Sequence, residues 1–510
     1  MFHKRFIKAV LAGAAAGLLL LACVFVPITI SRNIATAHSA SLQENLSISR
    51  GEAVAEYPVG QVHITALFNG AALDGASVSS DGYRWFTPQN GVLETELIPG
   101  VYEMTALFEN RIVTGKYEAA TGGETLQVVL DVGNAPAVSE LIIFDVDRAE
   151  DLQTLPLNIS NAHSVIADEM PNSVSVVQTE DSFALSLNLA LLPYNFYHIT
   201  LRAYNDSGQA EMHVGLRIAR EAPITEICTV DDLAGISKNL SGSYLLMNNL
   251  DMSDVRDWNP IGSAEYPFSG VFDGNGYEIS GFHSPDSIPE DSGFALFHTV
   301  RNAEIRNVII REPNISPKDI SASSGHAALA IDIRQSMIER CAVIDGRIAP
   351  SDGGACGLFV AGVDVVAIDL YNSADVFCNA ANSALRNTGG IAGMFSGYGT
   401  RLINEGEVYG THLTGGITGF LIDGYINHCV NSGYIWGQTF LGEYPCGGIV
   451  QSVAGQSTAA DGYFVIGQSA RGSGLGRVSS LIPVSPAEAE RIIQEWDIIP
   501  KEGGLPSEAS

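Results

Sequence analysis

Gly389-Gly390-Ile391-Ala392-Gly393-Met394-Phe395 returns as Gly415-Gly416-Ile417-Thr418-Gly419-Phe420 and, shortened, as Gly447-Gly448-Ile449-Val450. Outward from these copies, a glycine beside small and apolar residues recurs at Gly293, Gly325, Gly354, Gly390, Gly416 and Gly448, in steps of about 26 to 36 residues. A second signal follows most of them: Ile305-Arg306-Asn307-Val308, Ile338-Glu339-Arg340-Cys341, Ile368-Asp369-Leu370-Tyr371-Asn372, Ile403-Asn404-Glu405-Gly406 and Ile426-Asn427-His428-Cys429-Val430-Asn431. One such unit cannot bury its apolar side chains alone. Units stacked through parallel strands about 4.8 Å apart bury a continuous column of Ile, Val, Leu and Phe. The sequence therefore predicts a right-handed parallel β-helix over 223–484, with one repeat per coil. On this reading the glycines sit at tight corners with positive φ, and asparagines at equivalent corners bond their neighbours' backbones. Cys341 and Cys429 share a place in the repeat and read as an inward ladder of small side chains.

The repeat opens with Ile227-Cys228-Thr229-Val230-Asp231-Asp232-Leu233, Gly242-Ser243-Tyr244-Leu245-Leu246-Met247 and Trp258-Asn259-Pro260-Ile261-Gly262. Pro267-Phe268-Ser269-Gly270-Val271-Phe272-Asp273-Gly274-Asn275-Gly276-Tyr277 completes it. This order of elements resembles the opening of GLUG-motif regions, found in bacterial surface proteins including some immunoglobulin A peptidases. The resemblance implies an adhesin-like β-helix displayed at the cell surface. Those peptidases carry a separate metalloprotease domain, and its His-Glu-x-x-His signature does not occur in this sequence, so protease activity does not carry over. At the other end, Ser485-Pro486-Ala487-Glu488 is a capping box with proline at the first helical position. Ile492, Ile493 and Trp496 follow on one face. A capping helix over about 486–497, within a 485–510 tail, is expected on the last coil.

The chain begins with Lys4, Arg5 and Lys8, then an apolar run from Ala9 to Ile30, long enough to cross about 30 Å of hydrocarbon. Residues 1–30 are read as a single-pass transmembrane signal anchor with the rest of the chain extracellular. Cleavage after Ala35-Thr36-Ala37 or lipidation at Cys23 of Leu20-Leu21-Ala22-Cys23 would make the protein secreted or lipid-anchored instead. Residues 31–56 read as a linker. With 57 acidic against 27 basic residues the net charge is −30, which disfavours nucleic acid as a partner.

Between linker and repeat, short alternating strands suggest two β-sandwiches, giving a mainly β chain. The first, 57–133, contains Val62-His63-Ile64-Thr65-Ala66-Leu67-Phe68, an Asn69-Gly70 turn, Ala76-Ser77-Val78-Ser79, Gly91 to Leu97, Ile98-Pro99-Gly100-Val101-Tyr102-Glu103-Met104 and Thr125 to Leu130. This order is similar to the prealbumin-like domains appended to carboxypeptidases and surface proteins, which implies a spacer. The second, 134–222, carries Leu141 to Phe144, Ser173 to Val177, Phe183 to Leu187, and Tyr197 to Tyr204 turning at Asn205-Asp206-Ser207-Gly208 into Ala210 to Ile218. That last hairpin is similar to those of immunoglobulin-like bacterial modules.

No phosphate loop, nucleophile elbow or paired metal-ligand motif is present, so neither catalytic, cofactor-binding nor metal residues are assigned. The cysteines lack C-x-x-C spacing, which argues against zinc, and are compatible with disulfides or with buried free thiols. The later coils are rich in aromatics, whose flat faces pack cores but also stack on sugars or anchor protein partners. Tyr409, Tyr425, Tyr434, Trp436 and Tyr444 form the candidate binding face. The function expected is non-catalytic display of a β-helix for adhesion, glycan or protein binding, or envelope scaffolding. The alternative is a carbohydrate-active lyase or hydrolase, which would need outward acidic side chains converging in a groove.

Overall fold

The computed structural model describes residues 59–500 except 74, 81–84, 87–90, 121–124, 169, 181, 194–195, 219–222, 289–292, 319–324, 352–353, 379–386, 440–441, 444–445, 455–456, 466–470 and 476–480. The expected anchor and linker fall outside these residues. Among the described residues no helix is long and apolar enough to cross a membrane.

The first sandwich comprises β1 (Gly60–Phe68), β2 (Ser77–Ser79), β3 (Val92–Leu97), β4 (Gly100–Phe108), β5 (Arg111–Ala119) and β6 (Leu126–Asp131). Alternation in β1 turns Val62, Ile64 and Ala66 into the core, and β1 pairs antiparallel with β3 and parallel with β6. Asp131 ties the Asn69-Gly70 turn by accepting both backbone N–H groups, at 2.9 and 2.7 Å. The sequence signals miss β5, whose run is broken by Gly115 and the outward Lys116 and Glu118.

The second sandwich comprises β7 (Leu141–Val146), β8 (Leu152–Leu157), β9 (Ser164–Ala167), β10 (Val174–Gln178), β11 (Phe183–Asn188), β12 (Phe196–Tyr204) and β13 (Gly208–Ile218). Strand β13 also pairs with β5, from Gly208 opposite Val113 to Ala210 opposite Arg111, so the sandwiches share a seven-stranded sheet. Glycine is needed at the junction, because a Cβ on Gly208 would lie 2.1 Å from the Ile112 carbonyl oxygen.

From Ile224 the strands form a 20-stranded sheet of parallel pairs, flanked by smaller sheets that are parallel except for the last pair of the six-stranded one. Register links Tyr244, Phe272, Ile305, Ile338, Ala367, Gly399, Ile426 and Ala459 on successive coils. Apart from Gly399, their side chains face a common core that also holds Cys341 and Cys429. Cys341 is in register with Leu370, Leu370 with Leu402 and Leu402 with Cys429, so the ladder is inward but its middle rungs are leucines rather than the small side chains expected.

The corners differ from expectation. Asn307, Arg340, Asp369, Arg401, His428 and Asp461 take left-handed φ between 43° and 56° at equivalent places, whereas none of the recurring glycines does. Each non-glycine corner costs roughly 1 kcal/mol of local strain. Stacking offsets part of it, since Asp369 sits in ion-pair range of both Arg340 and Arg401. The recurring glycine instead permits close approach. A Cβ on Gly390 would lie 2.2 Å from Cγ of Asn404 and 2.4 Å from the Gly416 carbonyl. Behind it Asn372, Asn404 and Asn431 are fully buried and joined amide to amide at 2.8 Å, each also donating to the backbone carbonyl two residues on.

Among the described residues two α-helices flank the stack. Helix α1 (Val230–Gly235) starts at a capping box between Thr229 and Asp232 and buries Leu233, which with Ile236 enters the core beside the first coil. Helix α2 (Pro486–Trp496) forms where expected. The Ser485 hydroxyl accepts from the Glu488 N–H, while the Glu488 carboxylate turns to Arg491. Rather than covering the end of the stack, α2 lies on its side. Ala489, Ile492, Ile493 and Trp496 join Val430, Tyr463, Val465 and Val484 of the last coils in one apolar cluster, which continues through Ile403 to Tyr371.

Candidate functional site

Five strands, Asn314–Ile315, Arg347–Ile348, Asp375–Phe377, Val408–Gly410 and Ile435–Thr439, stack in parallel as one flank of the coils. Ile315, Ile348, Val376, Val408 and Ile435 point inward and are buried. Strand alternation sends the residues on either side outward. One outward column holds Phe377, Tyr409 and Trp436 in register. The other runs from Arg347 and Asp375 through Glu407, whose N–H donates to Asp375 Oδ1 at 3.1 Å, to Tyr434. Ring centroids are 6.5 Å apart for Phe377 and Tyr409 and 4.1 Å for Tyr409 and Trp436, with tilts of 39° and 44°. Tyr434 and Trp436 are 47% and 42% exposed, so large aromatic surface meets solvent next to two carboxylates. The Arg347 guanidinium lies 4.5 Å over the Phe377 ring.

Of the residues singled out from sequence, Tyr409, Tyr434 and Trp436 are thus brought together. Tyr444 lies outside the described residues. Tyr425 is elsewhere and only 3% exposed. Phe377, Arg347, Asp375 and Glu407 belong to the face and were missed. The signal that could have found them is the inward aliphatic series Ile348, Val376, Val408 and Ile435, since the residues on either side of each are the outward ones.

Tyr425 belongs to a second outward column, Glu304, Met337, Val366, Tyr398 and Tyr425, on which the second sandwich docks. Phe196, Leu141 and Ile143 pack on Met337, Val366 and Ile368. Glu140 receives hydrogen bonds from Tyr398 at 3.2 Å, Tyr425 at 3.0 Å and Asn427 at 2.5 Å. Arg217 reaches Glu304 and Glu339, each at 2.9 Å. His213 lies between sandwich and solenoid, its ring 5.0 Å from that of Tyr398 and its Nδ1 3.1 Å from Nε2 of His198. Burial, then the neighbouring His213, holds His198 well below the ordinary histidine range. Burial pushes the Tyr425 phenol up, and the adjacent Glu140 adds to it.

Beside this junction a cleft of about 610 Å³ is lined by Asp145, Arg217, Tyr244, Asp273, Glu304 and Arg306 among others. Its buried charges are matched internally, with Arg306 on Asp273 at 2.8 Å and Arg217 on Glu304 at 2.9 Å. Burial raises the Glu304 carboxyl even so, against the pull of Arg217 and Arg306. Cysteines 228, 341, 356, 378, 429 and 446 are free thiols, all but Cys228 buried. Burial pushes Cys341 up to about 12, which keeps it protonated and unreactive at neutral pH.

No family model matches the chain, and no curated protein does. Among solved structures, an endo-fucoidan hydrolase of glycoside hydrolase family 107 aligns at 11% identity and a TM-score of 0.16 over 33% of this chain and 30% of its own length. A chimeric titin Z1Z2 aligns at 14% identity and 0.15 over 32% of this chain and 96% of its own. Extracellular cadherin domains 1–4 of protocadherin gamma B7 align at 10% and 0.15 over 32% and 53%. At such TM-scores the alignments decide neither fold nor activity, and the chain spans less than a third of the hydrolase.

Proposed function

We propose that this chain is a non-catalytic bacterial surface protein, tethered through the apolar run Ala9 to Ile30 and presenting a right-handed GLUG-type β-helix that binds a carbohydrate through its aromatic flank. The observation that supports this most is a contrast between outward columns. The column through Met337, Val366, Tyr398 and Tyr425 is covered by the second sandwich. The one through Tyr371, Ile403 and Val430 is buried in the apolar cluster that α2 joins. The column of Phe377, Tyr409 and Trp436, with Tyr434 beside it, has no such cover among the described residues and keeps Tyr434 and Trp436 exposed. Aromatic rings left in water at this density are a feature of binding faces, and rings in series stack on successive sugars. A glycan array on the full chain tests the reading. Replacing Trp436 with Ala should remove captured glycans or weaken them about tenfold or more without changing the melting temperature. An array on which the parent protein retains nothing refutes carbohydrate binding.

A further inference from the structure

We propose that the ligand of the aromatic flank is a single extended glycan chain carrying free ammonium groups, that is, an amino sugar polymer; this rests on the carbohydrate-binding reading above and narrows it to one chemical class. The shape of the face selects a single chain. The three rings advance along the solenoid axis one coil at a time, with strands about 4.8 Å apart, but tilt by 39° and 44° from one to the next. A crystalline polysaccharide surface needs coplanar rings, whereas a soluble chain can twist to lay successive sugars on tilted ones.

Charge selects the ammonium. Asp375 and Glu407 form the outward column beside the rings, and neither is in an ion pair among the described residues. A uronate or sulfated chain would bring like charge onto them, in a protein of net charge −30. A ring face flanked by a carboxylate is instead a cation site, because the quadrupole and the carboxylate both attract positive charge. The flank already holds one cation this way, for the Arg347 guanidinium lies 4.5 Å over the Phe377 ring. Tyr409, Tyr434 and Trp436, one and two coils further on, offer the same surroundings without a resident cation among the described residues. Sugar faces would stack on Tyr409 and Trp436, with the 2-ammonium groups directed at Asp375 and Glu407.

Calorimetric titration of the full chain with a glucosamine hexamer, its N-acetylated counterpart, a uronate hexamer and hexalysine tests the assignment. The glucosamine hexamer is expected to bind about tenfold tighter than the acetylated one, a margin one ammonium site can supply, and to weaken as salt rises. The double variant Asp375→Asn, Glu407→Gln should bring the two hexamers to equal affinity, while Trp436→Ala weakens both. All of these positions are at the surface, and an unchanged melting temperature verifies that the variants fold. Equal or tighter binding of the acetylated or uronate hexamer overturns the ammonium assignment and leaves glycan binding standing. Hexalysine bound as tightly as the glucosamine hexamer overturns the sugar. Failure of every hexamer overturns the carbohydrate reading itself.

Discussion

Replacing Asn404 with Ala removes the middle rung of the buried asparagine ladder, and its cost can be counted. Asn404 Nδ2 donates to the Gly406 carbonyl at 2.9 Å and to Asn431 Oδ1 at 2.8 Å, while its Oδ1 accepts from Asn372 Nδ2 at 2.8 Å. Alanine would orphan two buried acceptors and one N–H of the Asn372 amide, and leave a polar-lined void. At roughly 1–3 kcal/mol for each unsatisfied group, the loss should be about 4 kcal/mol. Asn372 provides the control. It too donates to two acceptors, Ala374 O and Asn404 Oδ1, but its own Oδ1 is buried without a partner. Asn372→Ala deletes that unsatisfied oxygen together with the two bonds, so it should cost about 1–2 kcal/mol less than Asn404→Ala. Urea unfolding followed by circular dichroism would compare midpoints at unchanged slope. If Asn404→Ala lies within about 1 kcal/mol of the parent, or Asn372→Ala is the costlier variant, the bond count does not describe what holds these coils together.

Glu140→Ala should loosen the docked sandwich by about 2–4 kcal/mol, since three solenoid donors lose a charged acceptor; faster amide exchange around 398–427 would report it, and unchanged exchange would speak against the clasp. His198, held neutral by burial and by His213, has a folded pKa below its unfolded value, so the unfolded chain takes up the proton first. Its stabilising contribution is complete above about pH 6.5 and falls by up to about 1.4 kcal/mol per pH unit below it. His198→Gln should therefore flatten the dependence of stability on pH between about 6.5 and 5, and parallel curves for parent and variant would exclude this origin. Trp496→Ala should cost about 1–3 kcal/mol because the half-buried ring packs on the side of the coils, and a melting curve matching the parent's would show that α2 is not held there through it.

Most strands, though not β5, were legible in the sequence because alternation and the repeat act locally. Val62, Ile64 and Ala66 in β1, or Ile348, Val376, Val408 and Ile435 in successive coils, carry their own pattern. The corners were less legible. A left-handed turn made by Arg340 or His428 rather than glycine has no marker in composition, since what stabilises it is the stacking of one coil on the next. Docking was not legible at all, because Glu140 and Arg217 are single charges whose partners sit on distant coils. Tyr425 shows the consequence for the site. By alternation it is an outward aromatic like Tyr409, and only the sandwich above it decides that it is buried.

The burial of Tyr425 beneath the second sandwich constrains how the proposed aromatic face can be tested. A fragment starting at Ile224 would retain the coils but lose Glu140, Leu141, Phe196, His213 and Arg217. It would uncover Met337, Val366, Tyr398 and Tyr425, which are buried in the whole protein, and leave Glu304 and Glu339 without Arg217. The fragment would then carry two aromatic columns in water, with rings of Tyr398 and Tyr425 stacked at 5.8 Å and tilted by only 6°, a flatter platform than the native one. Sugar or protein captured there would reflect a surface that the sandwich occupies. If the flank binds as proposed, the sandwiches would shape its specificity without touching the ligand, because by covering one aromatic column they leave the tilted, acid-flanked one exposed to solvent. Ligand selectivity that differs between the fragment and the full chain, and that Glu140→Ala shifts toward the fragment, is what this division of roles requires.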